Sequence, residues 1–142
     1  MVEKKGVIGI VFDNNGGMLF FLILHRNFPG GKSWELLKGM SVGEQNPEEA
    51  MNNEIKNMIG LRFYKIKKKM DFTIPLKDGN DTIVNDVFLV ETSMNTPVKL
   101  DYDPNKINTY LWANQKTTLE RLSPEHRALV EKAIPEILKI SS

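Results

Sequence analysis

The residues that could do chemistry gather in and just ahead of the stretch Gly39 to Leu61, where a glycine-containing turn leads into a helix. Lys38 and Gly39 together would present a cation and a backbone carbonyl, and Arg26 stands at the end of an apolar strand facing the same region. Groups of this kind suit phosphate oxygens, arginine through paired N–H donors and lysine as a compact charge. The plainer reading of Gly39 is a steric one, since a tight loop often admits only glycine. Trp34 offers a flat wall on which a base could stack, and equally a side chain for the core. Glu54, within the helix, is the carboxylate candidate; its structural alternative is a tie to a loop amide or to a basic neighbour such as Lys38. His25 and His126 are far apart and lack metal-ligand spacing, so both read as structural or surface residues.

The elements that must hold these groups follow from periodicity and turn chemistry. Val7–Phe12 and Met18–His25 read as two apolar strands joined by Asp13-Asn14-Asn15-Gly16-Gly17, a strong turn signal. A loop from Asn27 to Ser33 and a short strand Trp34–Leu37 follow. Asn46 then caps a helix, with Pro47 at its first position, Glu48 and Glu49 at the positive end of its dipole, and Gly60 as its stop. Met51, Ile55, Met58 and Ile59 form its apolar stripe. Long strands are expected over Arg62–Thr73 and Thr82–Glu91 around a turn at Lys77–Asn80, then an irregular loop, a strand Ile107–Trp112, a short helix Gln115–Leu122 and a last helix from Ser123-Pro124-Glu125. Pro135 should bend or restart that helix. The order suggests a mixed sheet with helices on both faces.

The approach Trp34-Glu35-Leu36-Leu37-Lys38-Gly39 and the frame Gly39…Glu54-Ile55…Gly60-Leu61 resemble the Nudix hydrolase family. The family's box is a glycine, five residues, a glutamate, seven residues, then Arg-Glu-apolar-any-Glu-Glu-any-Gly-apolar. The resemblance implies an α/β/α sandwich with a mixed β-sheet. It also implies metal-assisted attack of water on a phosphoanhydride, with magnesium or manganese held by glutamates of the helix. Aligned on Gly39 and Gly60, the frame is kept and most of the chemistry is not. The early glutamate falls on Gln45, with Glu44 beside it; the arginine falls on Asn53; the last two glutamates fall on Asn57 and Met58. An acidic residue common a few positions before the tryptophan of the last strand falls on Lys106, counting from Trp112.

Magnesium takes hard oxygen ligands in near-octahedral array, so an amide at 57 and a thioether at 58 are poor replacements for two anions. In the family those positions share one helix face with Glu54, because offsets of three and four residues are neighbours. Met58 instead prolongs the apolar stripe. Glu44, Glu48, Glu35, Asp86 and Asp103 are the carboxylates that could substitute, and a set of Glu54, Glu44 and the Gly39 carbonyl is the best of these.

Three functions follow. The leading one is a Nudix-like domain that binds a nucleotide or related phosphorylated molecule with weak or no hydrolysis. The second is a magnesium- or manganese-dependent pyrophosphohydrolase of nucleoside diphosphate derivatives using relocated carboxylates. The third is a non-enzymatic interaction domain, assembling as a homodimer. The loops Asn27–Ser33 and Ser93–Asn105 would set the ligand.

Composition narrows the field. A chain of 142 residues with 41% hydrophobic and 26% charged residues suits one globular domain spanning 1–142. A net charge of +1 calls for neither nucleic acid nor an anionic membrane. The run Lys65-Ile66-Lys67-Lys68-Lys69 lacks interleaved aromatics and reads as a solvated strand face. The absence of cysteine excludes disulfides and thiolate metal sites and fits a cytoplasmic location. No apolar run is long enough to span a bilayer as a helix.

Overall fold

The computed structural model describes residues 3–28, 31–41, 45–78, 80–100 and 107–140. Strand β1 (Glu3–Asn15) turns into β2 (Met18–Phe28) through Gly16-Gly17, both at positive φ, as a two-residue hairpin requires. Asn14 Oδ1 accepts from the Gly17 N–H at 2.9 Å and braces that turn. Both strands run past the apolar segments that announce them. Strand β3 (Gly31–Glu35) pairs back on β2, which leaves much less loop than Asn27–Ser33 would make. One short strand was expected next; the chain instead breaks at Leu36 and resumes as β4 (Leu37–Met40) alongside β1.

Helix α1 (Pro47–Glu54) starts as its sequence dictates. Asn46 Oδ1 accepts from the Glu49 N–H at 2.8 Å, and Asn46 Nδ2 donates to Glu49 Oε1 at 3.1 Å. From Ile55 to Ile59 the helix widens into a π turn and ends at Gly60, in the left-handed conformation. Strand β5 (Lys65–Asp78) begins and ends later than its basic and apolar pattern suggests. It pairs with β6 (Asp81–Glu91) across two register shifts. Strand β7 (Ile107–Asn114), α2 (Gln115–Arg121) and α3 (Pro124–Ile140) complete the described chain. Pro135 does not interrupt α3. Its missing N–H would serve the carbonyl of Glu131, and both positions are exposed, where water can replace the bond.

The sheet runs β3-β2-β1-β6-β5, with β4 beside β1 and β7 beside β2; β1 and β6 are parallel and the other pairs antiparallel. Alternation along β1 and β2 sorts the core into two layers. Ile8, Ile10, Phe12, Phe21 and Ile23 pack with Leu129, Val130 and Ile137 of α3. Val7, Val11, Leu22 and Leu24 pack with Met51, Ile55 and Ile59 on the other face. Each such side chain stabilises the fold by roughly 1.5–3 kcal/mol when fully buried. The result is the α/β/α sandwich around a mixed sheet that the residues implied. Among the described residues no helix is long and apolar enough to cross a membrane.

Candidate functional site

Three parts of the fold meet at one end of the sheet: the break between β3 and β4, the end of α1, and the far end of the β5–β6 hairpin. They enclose a cavity of about 530 Å³. Arg26 enters from β2, Lys38, Gly39 and Met40 from β4, and Glu54 and Met58 from the helix. Leu76 and Lys77 from β5 and Ile83 and Asn85 from β6 close the other wall. Among the described residues, three basic side chains therefore line the cavity against one carboxylate.

Glu35, half-buried beside the cavity, organises two of the cations. Its Oε1 lies 3.4 Å from Lys38 Nζ and 3.7 Å from Arg26 Nε. The Arg26 contact is too long for a hydrogen bond, and among the described residues Nε is buried without a hydrogen-bond partner. The backbone that presents this group is tied from below. The Leu36 N–H, at the strand break, donates to Nδ1 of the buried His126 on α3 at 3.0 Å. Burial holds His126 down to a pKa of about 4, with Lys38 and Arg26 pushing the same way and Glu35 and Glu125 opposing. Its neutral form is thus the one that accepts from Leu36.

Glu54 sits directly on Gly39. A Cβ added at Gly39 would overlap Cγ, Cδ and Oε1 of the Glu54 side chain, so the glycine is what lets the carboxylate reach the strand. Lys38, Gly39, Glu54 and Arg26 line the same cavity. Trp34 does not line the cavity: it packs against the α3 layer, with His25 at 4.8 Å and the Arg121 guanidinium 5.7 Å from its ring centre. The single helix face expected for positions 54, 57 and 58 is also split. Met58 lines the cavity and packs on the α1 layer, whereas Asn57 is exposed. The π turn explains the difference, because i→i+5 bonding widens the turn and swings position 57 outward. Asn53 is exposed and Gln45 half-buried, and neither lines the cavity.

Of the substitute carboxylates, Glu44 and Asp103 lie outside the described residues, as does Lys106. Glu48 is exposed on the first turn of α1, and Asp86 is paired with Lys69 at 3.5 Å. Glu35 is engaged by Arg26 and Lys38. Among the described residues no three His, Cys, Asp or Glu side chains are grouped as a metal site would need. The lysine row of β5 is largely neutralised, with Lys67 3.8 Å from Glu91 and Lys68 2.9 Å from Glu136.

Lys77, Met40, Ile83 and Asn85 were not singled out from sequence. Three carry no signal of their own and arrive by the hairpin folding across the sheet or by strand pairing. Asn85 does carry one: it is an amide inside an apolar strand, 2% exposed.

No protein-family model matches the chain, and no curated protein matches its sequence. Solved structures do match in shape. An Ap4A hydrolase from C. elegans, in a binary complex, superposes with a TM-score of 0.80 at 15% identity over 96% of this chain and 98% of that one. The NUDIX domain of Shewanella oneidensis NrtR, complexed with ADP ribose, gives 0.73 at 15% over 96% and 90%. A MutT NUDIX hydrolase from Burkholderia pseudomallei gives 0.67 at 16% over 92% and 98%. The fold is the Nudix fold.

Proposed function

We propose that the cavity binds a nucleotide or related phosphorylated small molecule, with weak or no hydrolysis. The observation that carries this reading is the convergence of Arg26, Lys38 and Lys77 on a space of about 530 Å³ that, among the described residues, Glu54 alone lines with a carboxylate. A net positive, partly apolar hollow of that size suits a nucleoside phosphate. Support of a second kind comes from the matching folds, whose structures include an Ap4A hydrolase complex and a domain holding ADP ribose.

The donor set argues against a tightly held magnesium. Glu54 and the neighbouring Gly39 carbonyl supply hard oxygens, but Met58 turns a soft thioether into the cavity and Asn57 turns away. The described residues therefore do not fit the ion, and no hydrolytic step is drawn through it. Loss of a general base alone costs on the order of 10²–10⁴ in rate, and missing metal ligands deepen that deficit.

The test is release of phosphate or nucleoside monophosphate from ADP-ribose and dinucleoside polyphosphates with magnesium or manganese present. Release at or only slightly above the enzyme-free blank is expected. Brisk, chelator-sensitive turnover that disappears in Glu54→Gln or Glu44→Gln would instead establish a working pyrophosphohydrolase.

A further inference from the structure

Asn85 has an orientation that chemistry alone settles. Its Nδ2 donates to the Ile74 carbonyl at 3.2 Å and to the Ile83 carbonyl at 3.1 Å, which uses both amide hydrogens. The reverse orientation would set Oδ1 against two carbonyl oxygens. Oδ1 consequently points toward Gly6, where a Cβ would come within 2.5 Å of it. With no side chain at Gly6, the oxygen is left open at the cavity wall, and among the described residues it accepts no hydrogen bond. The oxygen is not among the buried atoms that lack a partner, so water reaches it through the cavity, and a ligand that covers it must bring a donor in the water's place. Met40, Met58, Leu76 and Ile83 supply the apolar part of the cavity lining, and the Gly39 carbonyl oxygen faces the same space above Gly6 as Oδ1.

We infer that Asn85 Oδ1 accepts a hydrogen bond from the exocyclic amine of a nucleobase, whose phosphates lie on Arg26, Lys38 and Lys77. The inference rests on the phosphate-binding reading above and adds what the other end of the ligand must be. A flat amino-bearing ring meets both conditions at once, an N–H for the amide and apolar faces for the methionines and aliphatic side chains. A sugar hydroxyl would satisfy Oδ1 but bring further polar groups against apolar walls, at a desolvation cost.

The test is calorimetric titration of the unmodified protein with ADP, 2′-deoxy-ADP, purine riboside 5′-diphosphate (the amine replaced by hydrogen) and inorganic pyrophosphate. ADP and its 2′-deoxy form are expected to bind alike, about tenfold more tightly than the purine riboside compound, because an unmade hydrogen bond leaves the acceptor unpaired. In Asn85→Ala that preference should fall to near unity with pyrophosphate affinity kept. Should this variant fail to fold, the ligand series on the unmodified protein decides alone. Equal affinity for ADP and the purine riboside compound, with pyrophosphate still bound, overturns the amine inference and leaves the phosphate site standing. Selective loss with 2′-deoxy-ADP overturns it in favour of a hydroxyl. Failure of pyrophosphate and all three nucleotides to bind overturns the phosphate site and the inference together.

Discussion

Glu54 and Gly39 constrain one another closely, because the Glu54 side chain occupies the space a β-carbon at Gly39 would need. The backbone at Gly39 is not at positive φ, so alanine there is disfavoured by crowding and not by conformation. Gly39→Ala is expected to cost about 1–3 kcal/mol in urea unfolding. Adding Glu54→Ala should recover most of that loss, a coupling that a double-mutant cycle measures. Independent, additive losses would show that the two do not meet. The neighbouring helix residues give a second, asymmetric expectation. Met58→Glu places a second carboxylate in the cavity one helical turn from Glu54, whereas Asn57→Glu projects into solvent. Manganese titration should detect a gain in affinity for the first substitution and little for the second. The reverse order would mean that the π turn does not set which side chains face the cavity.

At the scale of elements, the β3–β4 break carries a contact spanning 90 residues, Leu36 to His126. The unfolded chain takes up a proton near the ordinary histidine pKa of 6.5, the folded chain only near 4. Between those values the unfolded state binds more protons, so stability rises with pH. The histidine's contribution is complete above about 6.5 and is lost as pH falls toward 4, a change of roughly 3 kcal/mol. Urea denaturation at a series of pH values should show that slope, and His126→Asn, which offers a neutral acceptor in a similar place, should flatten it. This break also marks what sequence could not disclose. The Asn46 cap, the Gly16-Gly17 turn and the strand alternation are local, and each was legible where it stands. Nothing near Leu36 announces the break, since the partner its N–H finds there sits on α3. The π turn was hidden likewise, because Ile55–Ile59 satisfies an α-helical apolar stripe equally well.

For the whole molecule, the cavity is a product of topology. Arg26, Lys38, Gly39 and Glu54 could be named from the sequence because turn and helix bring them near one another. Lys77 and Asn85 arrive from a hairpin that crosses to the far side, so spacing along the chain carries no trace of their position. Trp34 shows the converse: a residue adjacent to the site in sequence belongs to the opposite layer. What unites the assembly is an excess, among the described residues, of cationic side chains over carboxylates in a space that a metal-dependent hydrolase would line with anions. ADP titrated into the protein in excess EDTA examines that balance directly. The expected result is saturable binding, unchanged by restoring magnesium and weakened about tenfold or more by Lys38→Ala, in keeping with loss of a charge-assisted contact. Binding that vanishes with EDTA and returns only with magnesium or manganese would contradict it.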